Sequence, residues 1–126
     1  MGDTMVKALS ILFAVILLAG AVGHIVAPEF YAGFIPEPIP EALANGFAVV
    51  VEATIGVGLL IPRYRARAGL AFAVLMLGFM PLHIWDALKA EPAVGSHTAA
   101  TIRLAVQLLL IAGGVAIFRA RPRSGQ

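Results

Sequence analysis

Four long apolar runs separated by short polar stretches set the pattern of this chain. They fall at about 6–27, 43–62, 68–88 and 98–118. Some 20 helical residues at 1.5 Å each cover roughly 30 Å, the thickness of a bilayer's hydrocarbon core, so each run predicts a membrane-spanning helix. The stretch 28–41 breaks the pattern with Pro28, Pro36, Pro38 and Pro40. Prolines at alternate positions remove backbone donors and exclude one continuous helix there. The same stretch carries Phe30, Tyr31, Phe34 and Ile35, which suit the headgroup level of a membrane or a lid folded over the helix ends. The expected fold is therefore all-α: an integral-membrane four-helix bundle, one domain over residues 1–126, with a proline-rich loop between its first two helices.

A secretory signal peptide is the rival reading of the first run. Lys7 would supply its basic start and Ala21-Val22-Gly23 its cleavage site. The run is longer than such a segment needs, which favours a span. Gly20 and Gly23 near its end allow close helix contact.

Composition agrees with a lipid-facing exterior. Of 126 residues, 60% are hydrophobic and 13% charged, too little polar side chain to cover a water-facing shell. The net charge of +2 does not point to nucleic acid, because the basic residues border the apolar runs and act as topology signals. The absence of cysteine excludes disulfides, thiolate ligands and cysteine redox chemistry within the chain.

Charge also sets the expected orientation. Lys7, Arg63, Arg65, Arg67, Arg119, Arg121 and Arg123 are seven of the nine basic residues, and four spans put all seven on one side. The opposite loops hold Glu29, Glu37, Glu41 and Glu91 against Lys89 alone. By the positive-inside rule both termini lie in the cytoplasm and the proline-rich loop outside. A multi-pass protein of a bacterial cytoplasmic membrane is the expected localisation.

Orientation turns spacing into depth. At 1.5 Å per residue, Glu52 and Gln107 lie near the bilayer centre, while His83, Asp86, Arg103 and His24 lie roughly 7 to 13 Å toward the outside. The inner half holds little that is polar beyond Ser10. Arg103 and Gln107 are four apart and share a face of the fourth helix. Asn45 and Glu52, seven apart, share a face of the second. An ionisable group at this depth needs a partner or a polar cavity, and Glu52 with Arg103 is the natural pair, meeting directly or through Gln107 or a water. The candidate ligand-binding residues are Glu52, His83, Arg103, Gln107 and His24, lining a pocket in the outer half.

Blander readings stand beside these. Glu52 and Arg103 as a structural ion pair would fix helix register alone. His83 suits packing with one satisfied hydrogen bond, and His24, near a helix end, suits the interface. Asp86 beside Trp85 marks the outer boundary, with its charge reaching water. Met76, Met80 and His83 form one helical stripe, a pattern that is core more often than a soft-metal site. No serine has His and Asp partners at its depth, and no phosphate-binding or nucleic-acid motif occurs, so no catalytic residue is assigned.

Several short motifs recur in a familiar order: Ala19-Gly20-x-x-Gly23-His24-x-x-x-Pro28-x-x-Tyr31, Ile35-Pro36 through Pro40, Glu52-x-x-x-Gly56-x-Gly58-Leu59-Leu60-Ile61-Pro62 with the arginine turn, Phe79-Met80-Pro81-x-His83-Ile84, and Arg103-x-x-x-Gln107. Together they resemble the DoxX-like family of small four-span bacterial membrane proteins. His83 departs from the asparagine that relatives often carry after the third-helix proline. The resemblance implies a partner subunit of membrane or soluble oxidoreductases, including quinone-coupled ones, and not a complete enzyme, because no flavin, haem or iron–sulfur motif is present. It implies quinone or a similar lipid head group as the bound molecule, hydrogen-bonded by His83, Arg103 or Gln107. A small-solute or proton-coupled transporter using Glu52, and a purely structural assembly subunit, remain open alternatives. A homo-oligomer is a further expectation, for which Gly113-Gly114 is the only hint.

Overall fold

A computed structural model describes residues 1–120. Arg121 and Arg123, which enter the charge argument above, lie outside the described residues. Among those described, the chain is all-helical: α1 (Asp3–Val26), a 3-10 helix η1 (Pro28–Phe34), α2 (Glu41–Leu60), α3 (Arg65–Leu88) and α4 (His97–Arg119). All four α-helices are long and apolar enough to cross a membrane.

Local chemistry explains where each element starts and stops. The α-helices begin one to three residues before the apolar runs. Their first turns take in Asp3 and Glu41, acids that favour the exposed N–H groups of a helix start. The Ser96 hydroxyl caps α4, accepting from the Ala99 amide at 3.0 Å. Helix α2 stops at Leu60 because Pro62 pushes the preceding residue, Ile61, into extended backbone. The 28–41 stretch is more regular than its prolines predict. Pro28 stands at the start of η1, where a missing N–H costs nothing, and the remaining three prolines all follow its end. Pro81 interrupts α3 by sequence, yet the helix continues through it to Leu88.

The helices pack as two hairpins. Helix α1 lies along α2, and α3 along α4, more extensively than either hairpin contacts the other. The register is antiparallel in both: Gly56 meets Leu18 and the Ala14 carbonyl, while His24 reaches Asn45. In the second hairpin Gly69 meets Gly114 and Gln107 reaches Met76. The apolar core lies in the half of the bundle that contains the 61–64 turn. Phe13, Leu17, Leu59, Phe72, Met76 and Ile117 are buried there, with the Phe13 and Phe72 rings stacked at 4.4 Å. Ser10, the polar residue of that half, bonds to the Val6 carbonyl of its own helix.

Outside this core the helices remain apolar on their exteriors. Only 17–28% of each helix's most apolar window is buried within the protein, and Val15, Phe47, Val74 and Leu109 face outward. Surface of that kind is stable against acyl chains and not against water.

Gly113 and Gly114, the hint of an oligomer interface, are used inside the chain. A Cβ at Gly113 would strike the Phe13 ring at 2.5 Å, and one at Gly114 the Gly69 carbonyl oxygen at 2.8 Å. Small residues here let α3 and α4 approach to backbone contact, the ordinary means of helix association in lipid. Gly114→Ala should therefore destabilise the protein by about 1–3 kcal/mol. Gly78→Ala, which meets nothing within 4 Å, should be neutral or slightly stabilising. Thermal unfolding of both variants in detergent checks the contrast, and equal melting temperatures would contradict it.

Candidate functional site

The polar residues of the other half form two groups, one per hairpin. In the α1–α2 hairpin, Glu52 is 6% exposed and faces α1. Its Oε1 lies 3.8 Å from Nε2 of His24. The opposite nitrogen of that ring, Nδ1, is 2.6 Å from Oδ1 of Asn45. The Asn45 amide nitrogen donates to the Glu41 carbonyl at 2.9 Å. That bond orients the amide with its oxygen toward His24, so Nδ1 must be the protonated, donating nitrogen. The imidazole then turns Nε2 toward Oε1 of Glu52, beyond hydrogen-bond distance but within electrostatic reach. A polar partner at this place is what burial of a carboxyl group among apolar helices demands.

Two glycines make room for this arrangement. A Cβ on Gly20 would lie 2.6 Å from Oε2 of Glu52, and one on Gly23 2.5 Å from the Tyr31 hydroxyl oxygen. The glycines expected to serve helix contact thus seat a carboxyl group and a phenol against α1. Tyr31 comes from η1, its ring stacked on His24 at 3.7 Å and 22°. Burial, and then the nearby Glu52 carboxyl, push the Tyr31 phenol above its ordinary value, so it keeps its proton. Oε2 of Glu52 is buried with no hydrogen-bond partner among the described residues. Beside the group, at the mouth of the hairpin, an open groove of about 670 Å³ is lined by His24, Ile25, Pro28, Asn45 and Val49.

The α3–α4 hairpin holds the second group. Asp86, 1% exposed, accepts from the Ala93 amide at 2.7 Å and the Val94 amide at 3.4 Å. Lys89 lies 3.2 Å from its Oδ1 and Arg103 4.0 Å from its Oδ2. Lys89 also donates to the Gly33 carbonyl at 2.7 Å and sits over the Trp85 ring. The Arg103 guanidinium lies over the Phe34 ring at 4.3 Å. Gln107, also buried, donates to the Met76 carbonyl at 2.7 Å, one residue before the carbonyl that Pro81 leaves without its usual donor. His83, half-buried, lies within electrostatic reach of Gln107, Arg103 and Asp86.

The five candidate ligand-binding residues are thus divided. His24 and Glu52 share the first group; His83, Arg103 and Gln107 belong to the second. The expected Glu52–Arg103 ion pair is not formed. Glu52 turns to its own hairpin partner, α1, and Arg103 to its own, α3, while η1 sends one ring to each group. Asp86 is corrected as well: it does not carry its charge to water but staples the 89–96 loop to α3. Its signal in the sequence was weak, an acid near a helix end with two loop amides seven and eight residues later. Met76 packs in the apolar core, and among the described residues no cluster of three His, Asp or Glu side chains could hold a metal. Tyr31, expected as an aromatic of the headgroup level or of a lid, joins the first polar group instead.

A family model described as Domain of unknown function (DUF8561) matches residues 13–118. The chain belongs to that family. The DUF8561 match runs from the Phe13 core position to the end of α4 and so takes in both polar groups and η1. No curated protein and no solved structure matches the chain significantly.

Removal of the Asp86 carboxyl should leave the Ala93 and Val94 amides and Arg103 without their acceptor. Asp86→Ala is expected to cost about 2–5 kcal/mol. Thermal unfolding in detergent measures it, and a loss below about 0.5 kcal/mol would rule out the staple.

Proposed function

We propose that this DUF8561 protein is a four-span, DoxX-like protein of a bacterial cytoplasmic membrane, with both termini inside. In this reading it binds a small amphipathic molecule, a quinone or a lipid, as the partner subunit of an oxidoreductase or envelope process. The observation that carries the binding reading is a buried carboxyl group with one oxygen unpartnered, whose neighbour His24 lines an open groove with largely apolar walls. An apolar concavity with a few convergent polar groups is the usual form of a small-molecule site. A headgroup would reach the His24–Glu52 pair while its tail lay along Ile25 and Val49.

The arrangement narrows the binding residues. His24 and Glu52 are assigned to the ligand, and His83, Arg103 and Gln107 to the architecture under Phe34. Transport through this chain is disfavoured, because the stacked Phe13 and Phe72 rings and the core around them fill the half beyond Glu52. The chain supplies no redox cofactor motif, so catalysis would belong to a partner.

Two measurements test this. The absence of cysteine lets single-cysteine variants report topology directly. Glu37→Cys should react with a membrane-impermeant maleimide in intact cells, and Arg63→Cys only after permeabilisation; the reverse order would overturn the orientation. Protein purified in native lipid should carry about one quinone or lipid per chain. Glu52→Gln should lose most of that occupancy with little change in melting temperature. An empty wild-type protein would overturn the binding reading.

A further inference from the structure

A second groove, of about 390 Å³, runs along the seam between α2 and α3 at the 61–64 turn. Small residues create it. Gly58 and Ala68 line its more buried part, where a Cβ on Gly58 would lie 3.1 Å from that of Ala68. Val57, Ile61 and Tyr64 are its exposed lining residues. From Ile61 back to Thr54 the groove follows α2 for roughly 10 Å toward the middle of the bundle. Thr54 at that far end bonds its hydroxyl to the Val50 carbonyl, so the groove is polar only at the turn, where Tyr64 and Arg67 stand.

The charge at the turn is one-sided. Arg63, Arg65 and Arg67 fall close together, and no acid occurs from 53 to 85. Arg65 is engaged by the fold: its Nε donates to the Leu59 carbonyl at 3.2 Å, at the end of α2. The Arg63 guanidinium lies over the Tyr64 ring at 4.4 Å and donates to the Tyr64 hydroxyl, a contact that leaves its charge unpaired. Arg67 is exposed and lines the groove, with no hydrogen bond or ion pair among the described residues. Asp3, the acid at the same end of the bundle, pairs with none of the three among the described residues. Acyl chains cover the whole exterior, and an apolar wall alone does not select among lipids. Arginine does, because its forked N–H donors match phosphate oxygens and its charge favours an anionic headgroup.

We infer that this groove binds an anionic phospholipid of the leaflet at the 61–64 turn. Arg67 holds the phosphate, with Arg63 alongside on the Tyr64 ring, and one acyl chain lies along Ile55, Val57 and Ala71. A lipid seated there bridges the two hairpins, whose mutual contact is sparser than the contact within each. The site is separate from the groove at His24 and stands independently of it.

The test titrates the full-length protein in detergent with phosphatidylglycerol or phosphatidylcholine of identical acyl chains and counts bound lipid by native mass spectrometry. One phosphatidylglycerol per chain should bind at least about fivefold more tightly than phosphatidylcholine, the gain from about one basic group at a membrane surface. Arg67→Gln should remove most of that preference. Arg119→Gln, which changes an exposed basic residue at the same end but outside the groove, should leave it unchanged. Ala71→Leu fills the groove without touching a charge, and should cut occupancy by both lipids. A phosphatidylglycerol with a photoreactive group midway along its chain should label residues within 54–71 of the wild type, a readout that needs no variant. Equal binding of the two lipids would overturn the inference, as would label spread evenly over all four helices. Equal losses in Arg67→Gln and Arg119→Gln would also overturn it, reducing the effect to general attraction by a basic face. Undiminished occupancy in a folded Ala71→Leu variant would do the same.

Discussion

A carboxyl group in the middle of four apolar helices needs a polar partner, and the one that Glu52 faces fixes the first hairpin. The Glu41 carbonyl orients the Asn45 amide, Asn45 selects the His24 tautomer, and His24 turns its second nitrogen to Glu52. Each link constrains the next, so α1 and α2 can adopt one register without losing the chain. Apolar contact could not impose that register by itself. Helices in lipid exchange acyl-chain contacts for side-chain contacts at little gain, which leaves small residues and polar links to specify the pairing. Gly20 and Gly23 belong to the same solution, because any side chain there would occupy the space of the carboxyl group or the phenol.

The second hairpin solves the same problem by other means. Gly69 and Gly114 bring α3 and α4 to backbone contact at one end, and Asp86 ties the connecting loop at the other. Its charges are distributed over backbone amides, a lysine and an arginine, so no single partner carries the compensation. The hairpins then meet through the Phe13–Phe72 stack in one half and through η1 in the other. Tyr31 on His24 and Phe34 over Arg103 make η1 a strap across the two polar groups, with Lys89 to the Gly33 carbonyl as its remaining tie.

Much of this architecture is legible in the chain because its signals are one-dimensional. Length and hydropathy mark four helices, proline marks where α2 ends, and depth along each helix follows from the rise per residue. That is enough to place His24, Glu52, His83, Arg103 and Gln107 in a polar stretch opposite an apolar one. Depth does not give azimuth. Each residue turns a helix by about 100°, and the order of helices around the bundle is not written in any one of them. Glu52 and Arg103 therefore look like partners by charge and depth, yet each faces inside its own hairpin. Asp86 was misread for a related reason: its acceptors' partners, Ala93 and Val94, are backbone groups, which a side-chain pattern does not display. Tyr31 lay in a proline-rich stretch whose 3-10 turn sequence periodicity does not resolve.

The asymmetry of the bundle bears on what a buried acid can do here. A protonatable group that conducts needs access from two sides, and one that binds needs access from one. Below Glu52, Leu17, Leu59 and Phe72 are nearly inaccessible, and Ser10, the polar group among them, is turned to its own helix. Above it stand a partly exposed tyrosine, a strap with no buried residue and an open groove. The carboxyl group therefore sits at the closed end of a one-sided approach. In the binding reading proposed above, such a position takes a headgroup that enters and leaves by the same route.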